Sequence, residues 1–281
     1  MFNALAKQET FSPTGSPYTS KMIEPLSKKQ CQLLAQHLPD GPQTVISRAH
    51  LRWGTARAYA VGLSNDGFET AVIEDPGCPG EPMVFGHNPR QIANLMPRIP
   101  DWFCVNVATE LAEEVALLLA EQMGCPVRQQ GDVYHILTQP PPANLLNQSD
   151  VRLLTADDLP LLQAAPPELR GPNPEHLLHQ TAAAGAIIND QLVAIAQNYA
   201  LTEGYGDIGV FTLPDWRGHG LAAAAAAHVA QWLQGNGRIP VWSCGEQNQA
   251  SLRVAEKLGF VENGRRVYLI LQDQTATDFA D

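Results

Sequence analysis

The sequence has no apolar run near the roughly 18 residues that a bilayer-spanning helix requires, which excludes a helical membrane protein. It has no CxxC pair. Cys31, Cys78, Cys104, Cys125 and Cys244 are dispersed and odd in number, a pattern of buried thiols in a reducing compartment rather than a zinc site or a disulfide framework. Basic charge is scarce: 18 Lys and Arg stand against 29 Asp and Glu, a formal net charge of −11. That balance repels phosphate backbones, so nucleic acid is not an expected partner, and a cationic or amine-bearing ligand is favoured. Of the eight histidines only His176 and His179 share a helical spacing, and with no third ligand nearby they read as a solvated face. No metal is expected. Residues Met1 to Ser20 are polar, rich in Ser, Thr and Pro, and lack the apolar centre of a secretory signal, so they read as a loose tail or leader segment on a soluble protein, expected in the cytoplasm.

What is present suits an ordinary globular protein. Hydrophobic residues make up 44% and charged residues 17% of 281 positions, enough for two domains or one large one. The composition breaks at Gln139–Asp150, QPPPANLLNQSD, where three prolines bar a helix or central strand and suggest a semi-rigid linker. This gives an N-terminal α/β domain over 21–138, the linker over 139–150, a second domain over 151–273, and short tails at 1–20 and 274–281.

The periodicity predicts, in the first half, a helix over Leu26–Leu38 and strands at Ala56–Leu63 and Glu69–Glu74 joined at Asn65-Asp66-Gly67. A strand at Met83–Phe85, a helix at Pro89–Met96, a strand at Trp102–Val107, a helix at Thr109–Met123 and a strand at Val133–Thr138 follow. In the second half it predicts a strand at Val151–Leu154, a helix from Asp157, and a hairpin of Ala186–Ile188 and Leu192–Tyr199 turning at Asn189-Asp190. Next come a strand at Asp207–Thr212, a helix over Gly218–Gln234, a strand at Pro240–Cys244, a helix over Gln249–Leu258 and a strand at Val267–Gln272. The fold class is α+β with mixed α/β order. Two strings recur between the halves: Trp102-Phe103-Cys104 with Trp242-Ser243-Cys244, and Leu119–Gly124 with Val254–Gly259. Their separations differ by five residues, so internal duplication and chance recurrence both stay open.

The informative stretch is VFTLPDWRGHGLAAAAAAHVAQWL, Val210 to Leu233. A strand ends at Thr212, Pro214 and Asp215 turn the chain, and Arg217-Gly218-His219-Gly220-Leu221-Ala222 opens a helix. Glycine lets backbone N–H groups approach a ligand closely, and a helix start offers unpaired donors at the positive end of its dipole. The chemistry suits a pyrophosphate; a bare glycine-rich turn is the alternative. GxGxxG and Gly-Lys-Ser/Thr are both missing, which disposes of dinucleotide and nucleoside triphosphate readings.

A second stretch, WSCGEQNQASLRVAEKLGF, is a strand, an Asn-containing turn, a short helix and a Gly-Phe exit. Together the two resemble the GNAT acyltransferase superfamily. Its Arg-x-x-Gly-x-Gly/Ala signature falls on Arg217, Gly220 and Ala222, and its Asn-x-x-Ala/Ser…Lys-Leu-Gly-Phe signature on Asn248, Ser251, Lys257, Leu258, Gly259 and Phe260. The layout of Leu26–Leu271 is similar to the two-part GNAT proteins related to zwittermicin A resistance acetyltransferases. The resemblance implies a GNAT fold in the second half and a degenerate GNAT-like repeat in the first, where Gly86-His87-Asn88-Pro89 replaces the cofactor loop and no CoA is expected to bind.

It further implies acetyl-CoA as cosubstrate. The backbone of Val210, Phe211 and Thr212 would pair with the pantetheine arm, and the amides of Arg217, Gly218, His219, Gly220, Leu221 and Ala222 would hold the pyrophosphate. Asn248 and Ser251 would touch the pantetheine or thiol end, with a helix N-cap as a competing role for Asn248. The implied reaction is direct attack of a small-molecule amine, such as an amino-bearing antibiotic or metabolite, on the thioester in a ternary complex. Asp207 occupies the position of a carboxylate base, with Glu203 and Glu246 as alternatives. The family's usual acid, a tyrosine seven residues after the motif asparagine, is replaced by Ala255. Cys244 and Tyr268, and beside them Ser243 and Tyr199, are the candidates to substitute. The missing tyrosine leaves two alternatives: a non-catalytic acyl-CoA-binding module and transfer of a longer acyl group. A transfer of aminoacyl groups from tRNA is disfavoured by the charge. The oligomeric state is left open.

Overall fold

The computed structural model describes residues 22–180 and 182–272; the expected tails, 1–20 and 274–281, and the side chain of His179 lie outside them. Helix α1 (Lys28–His37) starts at a capping box in which Ser27 and Gln30 satisfy each other's backbone donors. It is followed by α2 (Val45–Trp53), β1 (Arg57–Val61), β2 (Thr70–Glu74), β3 (Met83–Gly86), α3 (Pro89–Leu95), β4 (Cys104–Ala108), α4 (Ala112–Met123) and β5 (Val127–Ile136). Then come α5 (Ala143–Leu146), β6 (Val151–Leu153), α6 (Leu159–Ala164), α7 (Pro167–Arg170), α8 (Pro174–Gln180), β7 (Ala183–Ile188), β8 (Gln191–Leu201) and β9 (Tyr205–Thr212). The chain closes with α9 (Leu221–Gly235), β10 (Ile239–Gly245), α10 (Gln249–Leu258) and β11 (Val261–Leu271). No helix among the described residues is long and apolar enough to cross a membrane.

The described chain packs as two compact units. The carboxyl-terminal unit takes Asp40–Ile46 and Val133–Gly264; the amino-terminal unit takes 22–39, Ser47–Asp132 and 265–272. The packing boundary therefore falls inside β5 and β11 rather than in the expected linker. After its prolines, Gln139–Asp150 gains the turn of helix α5, and Leu145 is buried in the carboxyl-terminal core. The Gln234 side chain also donates to the carbonyls of Leu137 and Gln139, at 3.1 and 2.9 Å. An apolar face on that turn makes burial cheaper than a free tether.

In the carboxyl-terminal unit the strands run β5-β10-β9-β8-β7-β6. The Asn189-Asp190 turn between β7 and β8 has φ of 50 and 60, the left-handed pair that a two-residue hairpin demands. One sheet face is covered by α9, whose Ala223–Ala227 run meets Ala184, Ala186, Ala194 and Ala196; small residues on both sides bring the helix close. The other face carries α6–α8, with Leu162, Leu169 and Leu177 against Leu192 and Ile195.

In the amino-terminal unit the order is β1-β2-β3-β4-β11-β5. Residues Cys31, Leu34 and Leu51 of α1 and α2 pack on one face, against Ala58, Ala71 and Ile73. Ile92, Val115 and Leu119 of α3 and α4 pack on the other, against Val72, Val84, Val105 and Val107. Helix α2, which begins with two β-branched residues, was not legible in the periodicity.

The order β3-α3-β4-α4 repeats as β9-α9-β10-α10. Helices α4 and α10 both end on a left-handed glycine, Gly124 (φ 66) and Gly259 (φ 88), so the Leu119–Gly124 and Val254–Gly259 strings are corresponding helix ends. The Trp-x-Cys match does not correspond in this sense: Cys104 opens β4, whereas Cys244 lies near the end of β10.

Candidate functional site

Strands β9 and β10 run parallel and pair at Ile239↔Tyr205, Pro240↔Gly206 and Val241↔Asp207. Beyond Asp207 their paired register ends, although β9 continues to Thr212 and β10 to Gly245. On its other side β9 stays paired with β8 as far as Ala194↔Thr212. The result is a wedge between parting parallel strands, one wall of which is the backbone of Ile208 to Thr212. Such an edge accepts an extended amide-bearing chain as if it were an added strand. Val210, Phe211 and Thr212 lie on it, Val210 packing toward α9 and Phe211 toward α6–α8.

The turn from β9 to α9 is built to leave donors open. Gly218 (φ 83) and Gly220 (φ 79) are both left-handed, which an L side chain adopts only with strain. Gly220 is the N-cap and supplies no side-chain acceptor, and the first amide to bond back is that of Ala224, to the Gly220 carbonyl at 3.1 Å. The N–H groups of Leu221, Ala222 and Ala223 therefore have no intrahelical acceptor, at the positive end of the α9 dipole. Gly218 and His219 precede them in the same turn. At Arg217 the amide donates to the Pro214 carbonyl at 3.2 Å and the Nε to the Thr212 carbonyl at 3.3 Å, bonds that close the turn. The His219 ring likewise meets the Trp216 carbonyl, at 3.2 Å. The charge beside the turn comes instead from α10. A Cβ placed on Gly220 would stand 3.1 Å from the Lys257 ammonium nitrogen. Sequence reasoning noted Lys257 only as part of a motif; its spacing from Gly220 is a tertiary fact.

Asn248 is the N-cap of α10, its Oδ1 accepting from the Ser251 amide at 3.1 Å. The Ser251 hydroxyl in turn accepts from the Trp242 indole at 3.0 Å. Both side chains are thus tied into the start of α10, which fixes that turn beside the end of β10.

Asp207 is 1% exposed and lies at the last paired position before the wedge. Alternation sets it on the sheet face away from α9, because Ile208 and Val210 pack with α9. Ser243 shares that face, lying between Trp242 and Cys244, which both enter the α9 core. Its hydroxyl donates to Asp207 Oδ1 at 3.3 Å. Cys244 is thereby turned away from Asp207, 3% exposed among Trp242 and the α9 alanines. Tyr268 belongs to the amino-terminal unit, buried against Cys104 and Ile270. Neither is brought together with Asp207 within the carboxyl-terminal unit. Ala255, at the position of the family's usual acid, is 1% exposed and packs in the same core as Trp242 and Phe260. Of the alternative bases, Glu203 and Glu246 are both exposed, on the β8–β9 and β10–α10 turns.

The corresponding wedge in the amino-terminal unit is filled. Strands β3 and β4 pair in parallel at Met83↔Asn106. At that point the buried Arg266 Nη2 donates to both the Val84 and Asn106 carbonyls, at 2.7 and 3.1 Å, while its Nε donates to Asn106 Oδ1 at 2.5 Å. Its guanidinium carbon also lies 4.9 Å from the Phe85 ring centre. Helix α3 opens on Asn88, whose side chain caps the Gln91 amide.

A sequence model of the GNAT acetyltransferase family matches residues 173–268. The uncharacterized N-acetyltransferase YdfB of Bacillus subtilis (strain 168) is 37% identical over 54 residues, 19% of this chain; the match spans only 21% of that protein's length. A GCN5-related N-acetyltransferase-like protein from Streptococcus suis 89/1591 shares the fold with a TM-score of 0.61 at 19% identity, covering 87% of this chain and 99% of that one. A tandem GNAT protein from the clavulanic acid biosynthesis pathway does so with a TM-score of 0.50 at 14% identity, over 87% and 96% of the two chains. The parted strands and the open helix start accompany these matches: the segment 173–268 matches the GNAT acetyltransferase family, and the chain shares its fold with GNAT proteins, a tandem one among them.

Proposed function

We propose that this chain is an acyl-CoA-dependent N-acyltransferase that uses acetyl-CoA and a small-molecule amine, joined in a ternary complex. The observation that carries the reading is the wedge at Asp207↔Val241, which leads to a left-handed glycine turn and an α9 start with open amides. The edge of Val210 to Thr212 receives the pantetheine amides, and the amides of Gly218 to Ala222, with Lys257 beside them, receive the pyrophosphate. The formal charge of −11 and the paucity of basic residues favour an amine acceptor over nucleic acid. A cytoplasmic site of action belongs to the same proposal.

Alkylammonium groups titrate near pH ~10.4, so at neutral pH an acceptor must shed a proton before it attacks. Asp207 is the carboxylate placed to take it. Attack of the neutral amine on the thioester carbon places negative charge on the carbonyl oxygen, which an amide at the parted strands stabilises. Collapse then expels the thiolate, a tolerable leaving group with a thiol pKa of about 8.5, which takes up the second proton that the acylated nitrogen releases. This route needs no tyrosine at position 255.

Thiol release from acetyl-CoA, followed across a panel of primary amines, tests the reading. Amine-dependent release is expected, and Asp207→Asn should lower kcat with acetyl-CoA affinity unchanged. The buried Ala255 favours a second reading, a non-catalytic acyl-CoA-binding module. Tight CoA binding with no amine-dependent release would establish that reading instead.

A further inference from the structure

Asp207 and Ser243 differ in a way that bears on how a proton reaches the carboxylate. Asp207 is 1% exposed, whereas Ser243 is 9% exposed. Ser243 lies on β10 two residues past the last paired position, Val241, and thus on the opposite wall of the wedge from β9. Its Oγ donates to Asp207 Oδ1, 3.3 Å away, on the sheet face remote from α9. A hydroxyl has one proton to give and two lone pairs to receive with. A group whose proton already points at the buried carboxylate has its lone pairs available on its other side.

We propose that Ser243 is a catalytic relay, conducting the acceptor's proton to Asp207. This rests on the reading of the chain as an amine acyltransferase and adds a residue to it. In the step, the acceptor's N–H bond breaks and a new Oγ–H bond forms on Ser243. At the same time the original Oγ–H bond breaks and its proton bonds to Asp207 Oδ1. The nitrogen keeps the electron pair, which is now free to attack the thioester. Ser243 ends as it began, a neutral hydroxyl, and Asp207 ends as a carboxylic acid that gives its proton to water between turnovers. No oxidant or further reactant is required. The arrangement reconciles a base that is buried with a substrate that must remain outside the core.

The test compares full-length wild type, Ser243→Ala and Ser243→Thr, with the amine that gives the fastest wild-type release. Ser243→Ala is expected to lower kcat by about 100-fold, the low end of general-base contributions. The KM for amine and the affinity for CoA should stay within about 2-fold, since neither rests on the hydroxyl. Ser243→Thr keeps a hydroxyl at the same place and is expected to recover kcat to within about 10-fold of wild type. Rate measurements on the unmodified enzyme in mixtures of H2O and D2O should bow, because two protons move together. A Ser243→Ala enzyme with near-normal kcat, a Thr variant no better than Ala, or a linear isotope dependence in the wild type would overturn the relay. If Asp207→Asn is inactive while Ser243→Ala is normal, the relay fails and the proposed reaction stands. If the wild type releases no CoA with any amine, both fail.

Discussion

Lys257 reaches across from α10 to Gly220: its ammonium nitrogen occupies the space 3.1 Å from where a side chain on that glycine would begin. The glycine thus serves two ends, a left-handed backbone and room for a cation above the open amides of α9.

Reversing that cation should weaken CoA binding without unfolding the protein. Lys257→Glu is expected to raise the dissociation constant for CoA by about 10-fold, with the difference shrinking as salt is added. Gly220→Val should be more severe, because a β-branched residue both strains the turn and displaces Lys257. Titration calorimetry at two ionic strengths checks both, and an unchanged affinity in either would remove the turn from the site.

One CoA per chain is the expected stoichiometry. In the amino-terminal unit Arg266 takes the two carbonyls at the end of the β3–β4 ladder, and Asn88 caps α3. The strand gap there is bridged by a side chain, and the Gln91 amide at the helix start is already taken. Calorimetric titration with CoA should saturate at a single site, lost altogether in Gly220→Val.

Arg266→Ala should cost about 3 kcal/mol of stability, since it leaves buried carbonyls and the Asn106 amide oxygen without their donor. Arg266→Lys should recover little of that, because an ammonium cannot span three acceptors in the plane of the guanidinium. Urea unfolding of both variants measures the difference.

Glu81 should make the protein less stable as pH rises through the weakly acidic range. Burial, reinforced by Asp75 and Asp132, pushes its carboxyl up from 4.5 to about 7. Between those values the unfolded chain has lost the proton and the folded chain keeps it, so stability falls from about pH 4.5 to about 7 and then levels. Glu81→Gln should flatten that part of a melting-temperature profile.

Asp158 acts in the opposite sense. Paired with Arg152 through both carboxylate oxygens, at 2.7 and 2.6 Å, and bonded by the Thr155 amide, it is held at about 2. Its contribution is complete above its ordinary value of 3.8 and is lost as pH falls toward 2. Asp158→Asn should lower the melting temperature at neutral pH while making it less sensitive to acid.

The fold was legible in the sequence where its signals were local. Glycines at 218, 220 and 259, the Asn189-Asp190 turn and the apolar spacing of α10 act through neighbouring residues, and the structure has the elements they predict. Helix α2 was missed because Val45 and Ile46 carry strand-like propensity, which the helix overrides as its Leu51 packs against Ala58, Ala71 and Ile73. The helical turn at Ala143–Leu146 was not legible because the proline run before it hides its apolar face. In the candidate site, the strand-to-helix turn and its glycines could be placed from spacing alone. The side chains could not: whether Cys244 faces Asp207 or the core depends on strand register, and the Lys257–Gly220 and Ser243–Asp207 relations join residues that are 37 and 36 positions apart.

Two strands are divided between the packing units, β5 at Asp132/Val133 and β11 at Gly264/Arg265, and Asp40–Ile46 serves the unit whose other residues come much later in the chain. A cut at the proline run therefore parts Asp40–Ile46 from the rest of the carboxyl-terminal unit and 265–272 from the rest of the amino-terminal one. A shortened gene ending or starting near the prolines would leave both cores without segments that complete them.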